Sequence, residues 1–330
     1  MSTKLALALL GIALTLLCLL AAAAVSAWPS GTPSLTARST ATASAAPTIW
    51  PTFTATSTAV RVVAQTPTPT THPAPPQDHL WLARPLGSDQ TNEPSRFYPY
   101  GTTGGGKYRV HRGSDFPSPF GTPVFAAVAG RVIVAGNDQR VMHGERVNFY
   151  GQLVIIQLEK LCRGQKVYVL YGHLSKVLVS FLEEVQEGDL IGEVGMTGVA
   201  VGPHLHLEVR VGKNSYEQTR NPELWLKPLP DKGTLAGLLL DREGEPLPEH
   251  ILTLYRSNVP DQRWQDATTY PPNEVNRDEE WQENFAMGDM PAGRYVLKTS
   301  VEGRLYTQEF EIRAGETTSL VIQTGEAASP

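Results

Sequence analysis

At 330 residues and 41% hydrophobic side chains, the chain has room for two ordinary domains with real cores plus segments that need no fixed structure. Its 28 Lys and Arg against 33 Asp and Glu give a net charge of −5 with no basic stripe. A nucleic-acid partner, which would need clustered cations, is therefore excluded.

The chain opens with Lys4, an apolar run over 5–24 and the small residues Val25, Ser26 and Ala27. This pattern is an export signal with a cleavage site, and the run is also long enough to span a bilayer. Residues 1–27 are accordingly expected to be a signal peptide or an N-terminal membrane anchor, and either places the rest of the chain outside the cytoplasm. Cys18 sits inside the apolar run, away from where a lipid-attachment cysteine belongs, which leaves Cys162 alone in the mature part and excludes an internal disulfide there. Residues 28–78 shift to Thr, Ala, Ser and Pro, as in TPTPTTHPAPP. With almost no apolar side chains to offset the entropy of ordering, this stretch reads as a disordered stalk, open to O-glycosylation, that would let a folded domain reach into a wall layer.

From residue 79 to 230 the pattern is all-β. Runs at 131–135, 153–158, 167–171, 190–194 and 204–211 are short, rich in Val, Ile, Leu and Tyr, and separated by Gly, Asp and Pro. One helix is predicted, around 177–184. Into this frame fall four of the chain's eight histidines: His111 with Asp115 in HRGSD, His173 in YGHLS, and His204 with His206 in GPHLHLEV. Residues two apart on a strand share a face, about 6–7 Å apart, so His204 and His206 can enter one groove, one binding metal and the other handling protons. His, Asp and His form a ligand set that zinc accepts, and a catalytic zinc keeps its fourth position open. A single His-x-His is more often structural than metal-binding. The set gains weight from its flanks, Gly113, Gly172, Gly202 and Pro203, where backbone can approach closely.

These residues carry a resemblance. The ordered series HRGSDF, PFGTPVFAAVAGRV, YGQLVIIQLE, VYVLYGHLS, EGDLIGEVGMTG and GPHLHLEVR, from about 108 to 211, resembles the lysostaphin-type, LytM-like zinc metallopeptidases that cut peptidoglycan peptides. The resemblance implies a twisted antiparallel sheet with the site in a groove between loops. It implies His111, Asp115 and His206 as zinc ligands, and His173 and His204 as catalytic histidines. The family includes degenerate members that lost ligands and regulate other wall hydrolases; here every position of the set is present. The segment before the first motif, with ARPLGSDQ, FYPYG and TTGGG, would form one groove wall, where Tyr98 and Tyr100 either contact substrate or simply pack.

Residues 231–325 are a second domain. The run GTLAGLLLDREGEPLPEHILTLYR gives a strand, a polar turn and an alternating strand, followed by further strands in NFAMGDMPAGRYVLKTSVEG and LYTQEFEIRAGETTSLVIQ. This part resembles the transthyretin-like or carboxypeptidase regulatory-like β-sandwiches, which implies an accessory module that binds cell-wall glycan or protein, spaces or stabilises. The acidic stretch 273–283, with Trp264 and Trp281 nearby, reads as a solvated loop or a glycan- or protein-contact loop.

The expected chemistry is metal-assisted peptide hydrolysis. Imidazole, with an ordinary pKa of about 6.5, suits the proton traffic from water to leaving amine. No HExxH motif is present, so His173 and His204 are the candidates for base and oxyanion stabiliser, with the order open. The primary reading is an extracytoplasmic zinc endopeptidase acting on peptidoglycan cross-links or stem peptides. The alternatives are a non-catalytic wall-binding protein or activator of other hydrolases, and a zinc esterase or amidase using the same site.

Overall fold

The computed structural model describes residues 76–325. The expected signal or anchor and nearly all of the stalk lie outside these residues. Among the described residues no helix is long and apolar enough to cross a membrane.

Nine strands form the first sheet: β1 (Ser114–Pro117), β2 (Pro123–Phe125), β3 (Gly130–Asn137), β4 (Gln152–Leu158), β5 (Val167–Val177), β6 (Glu184–Val185), β7 (Leu190–Val194), β8 (His204–Val211) and β9 (Thr219–Arg220). The order is β1-β8-β5-β4-β3-β6, with β7 between β5 and β2, and β9 on β8, and every pairing is antiparallel. β4 carries an unbroken apolar run because both of its faces are covered: Val154 and Ile156 enter the main core, while Leu153 and Ile155 pack with Tyr150 and Leu170 in a smaller one. β8 instead alternates strictly. Leu205, Leu207, Val209 and Val211 face the main core, leaving His204, His206, Glu208 and Arg210 on the opposite face.

The helix expected around 177–184 does not form. β5 runs on through Val177, Leu182 takes a φ of 68°, and the backbone N–H groups of Leu182 and Val132 donate to Val132 and Glu183 carbonyls respectively. The segment bonds to β3 and, through the Leu178 N–H to the Ile191 carbonyl, to β7, so no helical ladder is left to make.

The remaining strands are β10 (Lys232–Leu240), β11 (Ile251–Arg256), β12 (Arg263–Thr268), β13 (Phe285–Pro291), β14 (Gly293–Val301), β15 (Arg304–Ile312) and β16 (Thr317–Gln323). They make a three-stranded sheet, β13-β10-β16, and a four-stranded one, β12-β11-β14-β15. β10 and β16 pair in parallel. Leu235, Leu239 and Phe285 from the three-stranded sheet share one core with Leu254, Tyr295 and Leu297 from the four-stranded one.

The acidic stretch 273–283 is solvated only in part: Asn273, Glu274 and Gln282 are exposed, whereas its centre is withdrawn. Asp278, Glu283 and Trp281 are 0%, 1% and 9% exposed, with Glu283 accepting from the Tyr270 hydroxyl at 3.0 Å. Asp278 meets His79 at 2.7 Å, and Glu279 accepts from Arg220 Nε at 2.9 Å. Further along, Arg84 forks onto Asp289 at 2.6 and 2.8 Å. Trp281 joins the core of the first sheet.

Candidate metal centre and active site

Strand register assembles the centre. Across the β1–β8 pair Asp115 lies opposite His206 and Pro117 opposite His204, and on the other side of β8 Gly172 lies opposite His206. His206 Nδ1 is 2.8 Å from Asp115 Oδ1, His111 Nε2 is 3.1 Å from the same oxygen, and the two imidazole nitrogens are 3.3 Å apart. Edges of a tetrahedral zinc site with bonds near 2.0–2.1 Å are about 3.3 Å, so these three atoms suit one small divalent ion. Gly113 is part of the fit. A Cβ there would lie 2.5 Å from the Leu207 carbonyl oxygen and 2.6 Å from His206 Cε1, so only glycine lets the HRGSD turn close over the His206 ring.

Each ligand is oriented from behind. His111 Nδ1 donates to the Tyr98 carbonyl at 2.6 Å, and the Tyr98 ring stacks on it with centroids 4.1 Å apart and planes 10° from parallel. That fixes the tautomer with Nε2 free toward Asp115. His206 Nε2 donates to Glu208 Oε1 at 3.1 Å, leaving Nδ1 free toward the centre. Glu208 and Arg210 are both fully buried, with Arg210 Nε donating to Glu208 Oε2 at 2.8 Å; Tyr150 also donates to Glu208. Burial opposes the Asp115 carboxylate, but the imidazoles of His111 and His206 outweigh it and hold its pKa well below the usual range. Burial likewise opposes the His206 imidazolium, but Asp115 and Glu208 lift it to about 9. Asp115 is therefore ionised at the centre, the state in which a carboxylate binds a metal.

His173 and His204 stand beside this set, ring centroids 4.8 Å apart. His173 Nδ1 donates to the Thr197 carbonyl at 2.8 Å and His204 Nδ1 to the Gly202 carbonyl at 2.8 Å. Both neutral rings thus keep an unprotonated Nε2 for the groove. Burial, then the charges of His206 and His204, push His173 down to about 3; burial also lowers His204, although Asp115 works against it. His173 adopts a φ of 61°, a left-handed backbone that a non-glycine residue holds only when its surroundings impose it.

The five residues named from the sequence are thus all brought together, in a groove of about 620 Å³. Tyr98 lines that groove. Tyr100 does not: it is 2% exposed and donates to the Thr219 carbonyl at 2.9 Å, so its role is packing. Glu208 and Arg210 were not singled out by sequence reasoning, yet the alternation HLHLEVRV carries their signal, since positions two and four beyond His206 share its face. Tyr150 gives no such signal.

Residues 109–219 match the family model described as Peptidase family M23. The chain is 38% identical over 101 residues to peptidoglycan DD-endopeptidase ShyA of Vibrio cholerae, covering 31% of this chain and 20% of that protein. It is 33% identical over 132 residues to lysostaphin of Staphylococcus staphylolyticus, covering 39% of this chain and 24% of that one. The chain thus spans only about a fifth to a quarter of the length of these relatives. Among solved structures, the catalytic domain of lysostaphin from Staphylococcus simulans shares 29% identity, with a TM-score of 0.32 over 41% of this chain and 90% of that one. Together with the His111, Asp115 and His206 set, the family match identifies residues 109–219 as a peptidase M23 domain, a metallopeptidase domain.

Proposed function

We propose that this protein is an extracytoplasmic, zinc-dependent endopeptidase that hydrolyses peptide bonds of peptidoglycan, in cross-links or stem peptides. The observation that carries the reading is the juxtaposition of a three-atom ligand set with two imidazoles whose Nε2 atoms are free to exchange protons. Relatives named as peptidoglycan DD-endopeptidases support the substrate. The export pattern at 1–27 supports the location, and the same segment would serve as an anchor if it is retained.

A zinc ion held by His111, Asp115 and His206 would supply Lewis acidity, polarising the scissile carbonyl and acidifying a water. The groove residues do the rest. His204 Nε2 lies 3.6 Å from Asp115 Oδ1, and the carboxylate favours the imidazolium, so His204 is the better placed to take the proton from the attacking water. Passing that proton to the amine nitrogen as the C–N bond breaks completes the transfer. His173, held neutral by burial, orders and receives hydrogen bonds at Nε2 within the same groove. The C-terminal sheets are assigned a supporting or wall-contacting role.

The reading is tested by incubating purified protein with insoluble peptidoglycan and following release of new amine groups. Activity that a chelator removes and zinc restores is expected. Binding of wall and metal without amine release, across several wall types, would favour a non-catalytic activator instead.

A further inference from the structure

Arg112 follows the ligand His111 and lines both the catalytic groove and a second cavity of about 630 Å³. The second cavity lies where residues 271–277 face Glu217 and Gln218. The Arg112 side chain is only 15% exposed, and its guanidinium sits 4.7 Å from the centroid of the Tyr216 ring. A cation held over a ring face in this way spends none of its five N–H donors.

Those donors are nearly unused. Nη1 is 3.5 Å from the Tyr216 carbonyl, and the nearest carboxylate, Glu274, is 3.8 Å away and 55% exposed. Arg210 and Arg220 contrast with it. Arg210 bonds to Glu208, Asn214, Tyr150 and the His143 carbonyl, and Arg220 to Glu279 and two backbone carbonyls. A guanidinium taken this far from water is normally paired, and an unspent planar fork is the shape that receives a carboxylate.

The groove around it has the matching sign. Its lining cations are Lys107, Arg109, which pairs with Glu145, and Arg112, whereas its carboxylates are Asp115, in the ligand set, and Glu208, bound to Arg210. This cationic groove belongs to a chain of net charge −5.

We propose that Arg112 is a specificity residue that binds a free carboxylate of the peptide substrate beside the scissile bond, with Glu274 as its weak internal competitor. The inference rests on the peptidoglycan-peptidase reading and narrows it to carboxylate-bearing stem peptides over carboxylate-free bridges.

The test compares kcat/KM of the zinc-loaded full chain on cross-linked stem-peptide dimers with free carboxylates and on the same dimers with those carboxylates amidated. A charge-assisted hydrogen bond predicts a preference for the free form on the order of tenfold, expressed mainly in KM. Arg112→Gln should abolish that preference while retaining zinc, and Glu274→Gln, by removing the competitor, should enlarge it. Equal rates on both forms by the wild type, or a preference that survives Arg112→Gln, overturns the proposal. Should Arg112→Gln lose zinc, Glu274→Gln decides, and an unchanged preference there overturns it. A wild type that cleaves neither form overturns the peptidase reading and this inference with it.

Discussion

Asp115 and His206 sit opposite one another in the β1–β8 register, and His206 Nδ1 lies 2.8 Å from the Asp115 carboxylate. Two motifs ninety-odd residues apart in sequence become one centre through a single strand pairing. Whatever disturbs that pairing disturbs the ligand set, and the first prediction follows from the residue that the pairing crowds most.

Gly113→Ala places a methyl 2.6 Å from His206 Cε1 and 2.5 Å from a backbone oxygen. Overpacking of this kind costs about 1–3 kcal/mol, and the ring that must move is a ligand. Zinc affinity, measured by competition with a chromogenic chelator, should fall, with a parallel loss of thermal stability. A variant that binds zinc as the wild type does would show that the turn has slack.

Glu208→Gln keeps the shape beside His206 but removes the charge that holds its Nε2–H and neutralises Arg210. Loss of such a supporting contact typically lowers metal affinity about 10–100-fold. Leaving Arg210 buried without its partner should also cost roughly 3–5 kcal/mol in urea unfolding. Retained affinity in a folded variant would mean that Asp115 alone orients the ring.

His173→Ala and His204→Ala should each keep zinc and lose turnover, on the order of 10²-fold or more from proton transfer alone. Metal content and single-turnover rates on one preparation separate this from a structural role. In the structural case stability falls and hydrolysis changes little.

Glu283 provides a pH signature. Burial, reinforced by the charge of Asp278, raises its carboxyl to about 8, against about 4.3 in an unfolded chain. Between these values the folded state holds a proton that the unfolded state has released. Its contribution to stability is therefore complete below about pH 4 and lost as pH rises through about 8. Glu283→Gln cannot titrate, so its melting temperature should gain on the wild type steadily from pH 5 to pH 8. Parallel pH profiles would contradict the assignment.

Much of the centre was legible in the sequence because β-strand geometry has a period of two and ligand chemistry uses few residue types. His111, Asp115, His173, His204 and His206 all converge, and the strand expected at 204–211 is β8 itself. What escaped was decided by partners distant in sequence. The run 177–184 has helix-forming residues, yet its backbone bonds to β3 and β7, which local composition cannot reveal. Within the acidic stretch 273–283, Asp278 and Glu279 are withdrawn because His79 and Arg220 supply their counter-charges. Tyr100, one of two similar tyrosines in FYPYG, is buried because Thr219 and Asn276 meet its hydroxyl. Glu208 could have been found by extending the His204, His206 alternation one step further.

The most direct measurement is mass spectrometry of purified, cross-linked muropeptide dimers incubated with the zinc-loaded protein and, in parallel, with Asp115→Ala. The expected result is conversion to two smaller peptides, each gaining a new amine or carboxylate terminus, with no conversion by the variant. Dimers that stay intact with the wild type over a long incubation, or that are cut equally by Asp115→Ala, would contradict a metal-centred peptidoglycan endopeptidase.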